Sequence, residues 1–334
     1  MATSDRTAAA DELAVVLLQL GGPRSLDEVQ PFLESMFRDP DLFDLPVPSP
    51  LRDALARKLS AWRTRKSRPL YAAIGGKSPI VGHTRKQARL LERRLRLALP
   101  CRVHFAMRYG APSTKATVDL VRASGCKRVL LLPLYPQYSA ATTGSSIREW
   151  ERCCRRCGFE VPTERIRSYF RHPKYIGVVA RRIEEALTRF PPGSRPHLVF
   201  SAHGLPRKFI RQGDPYQAQI EGTVRLAVRE ASWAGQHALC YQSRIGPQRW
   251  LKPTLADTLR RLGESGEDSV LVVPISFVSD HLETLSEIDI EAREQASRWG
   301  IARFETAEGL NASREFIDAL AELVLQRSAP EVAG

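Results

Sequence analysis

Residues 277–291 read FVSDHLETLSEIDIE: one histidine and five carboxylates with no Lys or Arg, in a chain of formal net charge +13. On a helix, Glu283, Glu287 and Glu291 stand at i, i+4 and i+8 and form one stripe. Each like-charged i,i+4 pair costs about 0.2–0.5 kcal/mol. Such a stripe is either a solvated face partnered by cations from elsewhere, or a path for protons and hydrated cations, which closely set carboxylates share and carry. A second candidate is FSAHGLP (200–206). His203 follows an apolar run directly and precedes a glycine, the setting of a base or metal ligand at a strand end; structural histidines occupy such places too. A third is LYPQYSAATTGSS (134–146), whose N–H groups and hydroxyls open a helix. They suit an anion, or simple capping by Ser145 or Ser146. A fourth is CCRRC (153–157). Cys153, Cys154 and Cys157, with Cys126 or Cys240 as the fourth thiolate, suit an iron–sulfur cluster; a zinc site and free thiols are the alternatives.

These residues need elements to place them. LAVVLLQL (13–20), RVHFAMRY (102–109), RVLLLPLYP (128–136), PHLVFSAH (196–203), HALCYQS (237–243) and SVLVVPISF (269–277) read as buried strands. Helical text falls between them at 25–38, 51–62, 82–98, 113–124, 145–157, 173–190, 215–234, 251–263, 281–298 and 311–327. Strands alternating with helices predict α/β architecture with parallel sheets covered on both faces. No fixed-length repeat supports a closed barrel, so the pattern predicts two doubly wound units. A polar boundary near 165–175 divides the chain into an N-terminal lobe, 1–168, and a C-terminal lobe, 169–310, with helix 311–327 returning to the first. The acids begin where VLVVPIS ends, and in an open α/β sheet that edge is where ligands bind.

Composition narrows the classes further. The chain has 334 residues, 43% hydrophobic and 26% charged, as in globular proteins. No apolar run reaches the roughly 20 residues of a bilayer span, and the start lacks the order of a signal peptide, so the expectation is a cytoplasmic protein. Six unevenly spaced cysteines do not form a disulfide framework. LGGPRSL (20–26) lacks the dinucleotide fingerprint, there is no P-loop, and no nucleic-acid-binding signature is present. Residues 51–102 carry 15 Lys/Arg against two Asp/Glu, which attracts anionic lipid or a polycarboxylate, or is a pair of solvated helices.

LGGP (20–23), IGGKSPI (74–80), MRYGAP (107–112), LYPQYSAATTGSS, FSAHGLP, GDPY (213–216), YQSRIGPQRWL (241–251) and VPISFVSDHLETLSEIDIE (273–291) occur in an order that resembles the ferrochelatase family across nearly the whole chain. The resemblance implies two Rossmann-like lobes flanking a cleft, and a lyase that inserts Fe²⁺ into a tetrapyrrole with release of two protons, the terminal step of haem synthesis. Leu20 before GGP favours protoporphyrin IX; coproporphyrin III is the alternative. A cobalt or nickel chelatase, or a porphyrin carrier without turnover, are the competing classes. The resemblance gives His203 and Glu283 to catalysis and to the Fe²⁺ substrate, contributed by opposite halves and facing each other across the pocket, with Glu287 and Glu291 as conduit. It places Leu20, Arg63, Arg108, Tyr109, Tyr135, Tyr138, Ser139, Trp250 and His281 against the porphyrin, Arg63 meeting a propionate and Asp280 helping His281 at the conduit's inner end. Residues 40–51, PDLFDLPVPSPL, resemble an apolar lip, which implies peripheral contact with the inner face of a membrane. The resemblance admits a 2Fe–2S cluster: Ala140 stands where one cluster-bearing version has a cysteine, and none follows residue 310, which leaves CCRRC as the candidate for it. Monomer and homodimer are both compatible with the sequence.

Overall fold

The computed structural model describes residues 13–42, 48–243 and 248–328. Residues 43–47 of the apolar lip and the RIGP text at 244–247 lie outside the described residues. In chain order, β1 (Leu13–Gln19) is followed by α1 (Val29–Arg38), α2 (Ser49–Ala73), α3 (Ile80–Leu95), β2 (Cys101–Met107), α4 (Thr114–Ala123), β3 (Arg128–Pro133), α5 (Ser145–Cys157) and β4 (Thr163–Arg165). Then come α6 (Pro173–Leu187), β5 (His197–His203), α7 (Arg207–Arg211), α8 (Tyr216–Glu230), β6 (His237–Gln242), α9 (Leu255–Glu264) and β7 (Ser269–Pro274). A π-helix, Glu283–Ala292, runs into α10 (Arg293–Arg298), and β8 (Arg303–Thr306) and α11 (Arg314–Ser328) complete the chain.

Two four-stranded parallel sheets result, ordered β2-β1-β3-β4 and β6-β5-β7-β8. Strand side chains alternate between faces, and in the central strands β1, β3, β5 and β7 both faces are buried. Leu13, Val15 and Leu17 enter one core and Ala14, Val16 and Leu18 another; in β7, Leu271 and Val273 separate from Val270 and Val272 in the same way. This two-sided burial is why the strands read as unbroken apolar runs. The fold is therefore the predicted two-sheet α/β architecture. Two strands were not foreseen. β4 lies within the polar text taken as a boundary, and β8 within a charged stretch. Both are edge strands of three and four residues with partly exposed side chains, too short and too polar to stand out. α2 was expected to end at 62 but continues to Ala73.

One core spans both sheets. Leu17 and Leu132 of the first share it with Phe200 and Val273 of the second, joined by Tyr175 and Val179 of α6 and Phe316, Leu320 and Val324 of α11. α11 packs on α3 and α6, and Arg94 pairs with Asp318 at 2.8 Å. Buried polar ties cross the seam as well. Gln137 Nε2 donates to Thr223 Oγ1 (2.9 Å) and to the Ile275 carbonyl (3.2 Å). The Asp214 carboxylate accepts from Ser139 Oγ (2.9 Å) and the Ala140 N–H (2.7 Å).

Candidate active site

In each sheet the chain turns to opposite sides of its first strand, so β1–β3 and β5–β7 are the switch points at whose carboxyl ends α/β sheets bind ligands. β5 ends on His203. Its N–H donates to Ser276 Oγ at 2.8 Å, and Tyr216 Oη donates to its carbonyl at 2.9 Å. β7 ends at Pro274 and passes through Phe277 to the π-helix that starts on Glu283. His203 Nδ1 lies 2.8 Å from Glu283 Oε2. Phe277 stands edge-on to His203, with ring centroids 5.7 Å apart, and packs on His281 at 4.1 Å. His281 Nδ1 lies 3.2 Å from the Ser279 carbonyl, and its Nε2 turns to Glu283 at 3.6 Å.

The expectation that His203 and Glu283 come from opposite halves and face each other across the pocket is corrected here. Both belong to the second sheet. β5 and β7 are hydrogen-bonded neighbours, so their carboxyl ends emerge side by side and the two side chains touch, with no room for a ring between them.

The electrostatics follow from this contact. Burial works against the charged form of both groups, and their mutual attraction overrides it. The ionised Glu283, with a smaller contribution from Glu287, raises His203 above its usual 6.5; the charge and hydrogen bond of His203, with His281, hold Glu283 well below the usual carboxylate range. Glu287 moves the other way. Burial and then the Glu283 charge push it up to about 7, against a hydrogen bond donated by Ser243 Oγ. Ser243 holds the left-handed conformation, φ 58°, that few non-glycine residues adopt. Glu291, next along the stripe, is exposed. The acids thus grade from an ionised carboxylate at the inner end, through one that titrates near neutrality, to one at the surface. A repeat of four fits an α-helix as well as the wider turn of a π-helix, so sequence gave no sign of the π geometry. π segments cluster at functional sites.

Glu283 and Glu287 open into a cavity of ≈ 100 Å³ between the sheets' carboxyl ends. One part of its wall is apolar: Leu20 after β1, Phe32, Leu33 and Met36 of α1, and Leu282. The other is polar: Arg63, Ser67 and Tyr71 of α2, Ser78, and Ser243. Arg63, Ser67 and Tyr71 stand four residues apart and extend the inward stripe that Ala56 and Ser60 begin. Gly21 makes the first lobe's approach feasible. Its φ is 97°, and a Cβ there would sit 1.8 Å from the Tyr109 carbonyl oxygen.

Of the residues expected at the porphyrin, Leu20, Arg63 and His281 line this cavity and the others do not. Arg108 and Tyr109 turn to the buried Asp39: Tyr109 Oη donates to it at 2.5 Å, and Arg108 forms an ion pair with it. Tyr135 is buried. Tyr138 packs under the Arg167 guanidinium at 4.9 Å in a separate cavity of ≈ 850 Å³ at the seam. Ser139 caps the turn that follows it and bonds Asp214. Trp250 lies against Gly204, beside His203 in sequence. Sequence reasoning gave no role to Ser67, Tyr71, Ser78, Phe277 or Tyr216. The four-residue spacing from Arg63 was the available signal for the first two.

The cysteines do not fit a cluster or a zinc site. Cys240 is fully buried in β6, in the second sheet, and its thiol faces the Phe200 carbonyl. Cys126 and Cys153 enter the first sheet's outer core, while Cys154 and Cys157 lie at its margin. Cys153 and Cys154 are adjacent on α5 and point apart; the Cys153 thiol donates to Glu149 and the Cys157 thiol to the Cys154 carbonyl. Burial first of all pushes the Cys153 thiol up to about 11 and those of Cys154 and Cys240 up to about 12. Among the described residues, no group of three or more His, Cys, Asp or Glu is arranged to hold a metal ion.

Comparison with known proteins agrees with this geometry. A family model described as Ferrochelatase matches residues 12–328. The chain is 44% identical to a ferrochelatase of Gloeobacter violaceus over 319 residues, covering 94% of this chain and 97% of the relative. It is 44% identical to one of Synechocystis sp. over 321 residues, covering 94% and 82%. Among solved structures it is similar to the sirohydrochlorin chelatase SirB of Bacillus subtilis in complex with cobalt, with TM-score 0.55, 11% identity and 94% of each chain covered. It is also similar to CbiX, the terminal enzyme of sirohaem biosynthesis in denitrifying bacteria, with TM-score 0.51, 16% identity, and 95% of this chain and 100% of that one covered. At such identities the structural likeness speaks for the fold alone.

Proposed function

The chain belongs to the ferrochelatase family, the lyases that insert ferrous iron into a porphyrin for haem synthesis, and from that premise we propose that the porphyrin it takes is protoporphyrin IX. The observation that carries this reading is the two-sided cavity wall. Protoporphyrin gathers its two propionates at one edge and leaves the rest of its rim apolar. Arg63, Ser67, Tyr71 and Ser78 suit the propionates, and Leu20, Phe32, Leu33 and Met36 suit the apolar rim. Coproporphyrin III, with carboxylates around the ring, would press at least one of them on the apolar wall, at the cost of burying an unpaired charge.

The overall reaction exchanges two pyrrole protons for Fe²⁺. Glu283, kept ionised, holds the proton of His203 on Nδ1 and orients the ring. Nε2 has no partner among the described residues and is the acceptor for a pyrrole proton. Glu287, titrating near neutrality, accepts and releases protons at little cost, and Glu291 passes them to solvent. The same carboxylates suit inward passage of hydrated Fe²⁺.

Peripheral membrane contact fits α2. Leu51, Leu59 and Trp62 are 57%, 37% and 55% exposed on its outer side, among Arg57, Lys58, Arg65 and Lys66. An exposed apolar strip bordered by cations suits an anionic bilayer surface. No helix among the described residues is long and apolar enough to cross a membrane.

Steady-state assay with Fe²⁺ tests the substrate reading. Turnover is expected with protoporphyrin IX, with kcat/KM well above that for coproporphyrin III, and none in His203→Ala. Equal or reversed preference defeats the porphyrin assignment, and stoichiometric binding without turnover defeats the enzymatic one.

A further inference from the structure

The loop between β8 and α11 lies far from the acidic helix in sequence but is stitched to its start. Asn311 adopts a left-handed conformation, φ 49°, which asparagine tolerates better than most residues. From that position its N–H donates to the Val278 carbonyl at 2.7 Å. Its Oδ1 accepts the Asp280 N–H at 2.9 Å, and its Nδ2 donates to Asp280 Oδ2 at 2.6 Å. Its carbonyl accepts from Gln87 Nε2 at 2.6 Å, and the same nitrogen donates to Ser279 Oγ at 3.0 Å. Gln87 belongs to α3 of the first lobe and is fully buried. The loop cannot stand off: a Cβ at Gly309 would lie 2.7 Å from Asp280 Oδ1.

Segment 278–281 has no sheet ladder of its own. Asn311 supplies one, pairing with Val278 and Asp280 much as a neighbouring strand would, and Gln87 fixes this splint to the opposite lobe. His281 and Glu283 follow immediately, and the His281 N–H is taken up by Thr284 Oγ1 at 3.0 Å. We propose that Asn311, acting through Asp280 and braced by Gln87, is a positioning residue that sets where His281 and Glu283 meet His203. The proposal rests on the iron-insertion reading of that helix. Asn311 touches neither the catalytic pair nor the cavity wall, so it acts on the rate through geometry, where a displacement of about 1 Å can cost 10²-fold.

Two single variants and a swap test it. N311G keeps the left-handed backbone and removes the side-chain bonds. N311D keeps the shape but sets a carboxylate against Asp280. Combining N311D with D280N restores donor and acceptor with their places exchanged. The single variants are expected to lose roughly 10- to 100-fold in kcat for iron insertion with KM for porphyrin unchanged, and the swap is expected to recover most of the N311D loss. Wild-type kcat in N311G and N311D, or a swap no better than N311D, overturns the proposal. Amide exchange at 278–284 gives a readout without turnover: it is expected to be faster in both single variants and slowed again by the swap, and unchanged protection in N311G overturns the proposal. If the unsubstituted chain shows no insertion, the functional reading fails, while exchange still decides the role of Asn311.

Discussion

Burial penalises the charged forms of His203 and Glu283 alike, and each is kept charged by the other. Removing one partner leaves a poorly solvated charge on its neighbour. The pair also sets the direction of the pH response. A proton acceptor works only when deprotonated, and His203 is raised above 6.5, so the acid limb of kcat/KM is expected above that value. Glu283→Gln removes the largest influence raising His203, so the limb should move towards lower pH, while kcat falls by about 10²-fold or more as the ring loses its orienter. A pH–rate profile that keeps its limb in place in that variant would contradict the assignment. The importance of both residues was legible in the sequence, since each follows an apolar strand run. That they stand together was not, because strand order is invisible until the sheet is assembled.

At the scale of elements, the site depends on how closely β1 and β2 let their ends approach. Gly21 tolerates the Tyr109 carbonyl because it has no Cβ and can adopt a positive φ. Gly21→Ala is expected to destabilise the fold by well over the ~1 kcal/mol that compatible glycine substitutions gain or lose, read as a lowered urea midpoint. Gly82 of α3 has open space around its Cβ position, so Gly82→Ala should raise stability by about 0.5–1 kcal/mol. If both variants unfold at one midpoint, the steric account of the turn is wrong. The six longer strands could be read as apolar runs, continuous in the central strands because these are buried on both faces, and most helices from the text between them. β4 and β8 escaped because three or four partly exposed residues make no apolar run, and the second half of α2 because its inner stripe carries Ser, Arg and Tyr. Those polar positions, illegible as core, are the ones that line the cavity.

At the scale of the whole molecule, the formal net charge of +13 carries a prediction about anionic surfaces. The outer side of α2 is expected to bind vesicles containing phosphatidylglycerol, weakly at high salt, because each basic residue near an anionic surface contributes about 1 kcal/mol and that contribution is screened. Replacing Leu59 and Trp62 together by Glu should weaken sedimentation with those vesicles by roughly tenfold or more and leave turnover of dispersed porphyrin unchanged. Binding that ignores both salt and the substitution would place the contact elsewhere. The two-sheet architecture was foreseeable from the alternation of strands and helices; the core shared between the sheets was not, because it depends on how α6 and α11 cross the seam.

That shared core has a kinetic corollary. Jaws need a hinge with little packed across it, and here apolar side chains and the hydrogen bonds of Gln87, Gln137 and Asp214 join the halves. Parting them to admit a flat macrocycle would break that packing, and the chamber of ≈ 100 Å³ falls short of the roughly 300–1,000 Å³ of pockets that hold ligands of that class. The wall expected to yield is α2, which packs principally on α1. A cross-link holding α2 to α1 is then expected to slow turnover, read as a lowered kcat with binding of the two substrates to the unlinked chain as the reference.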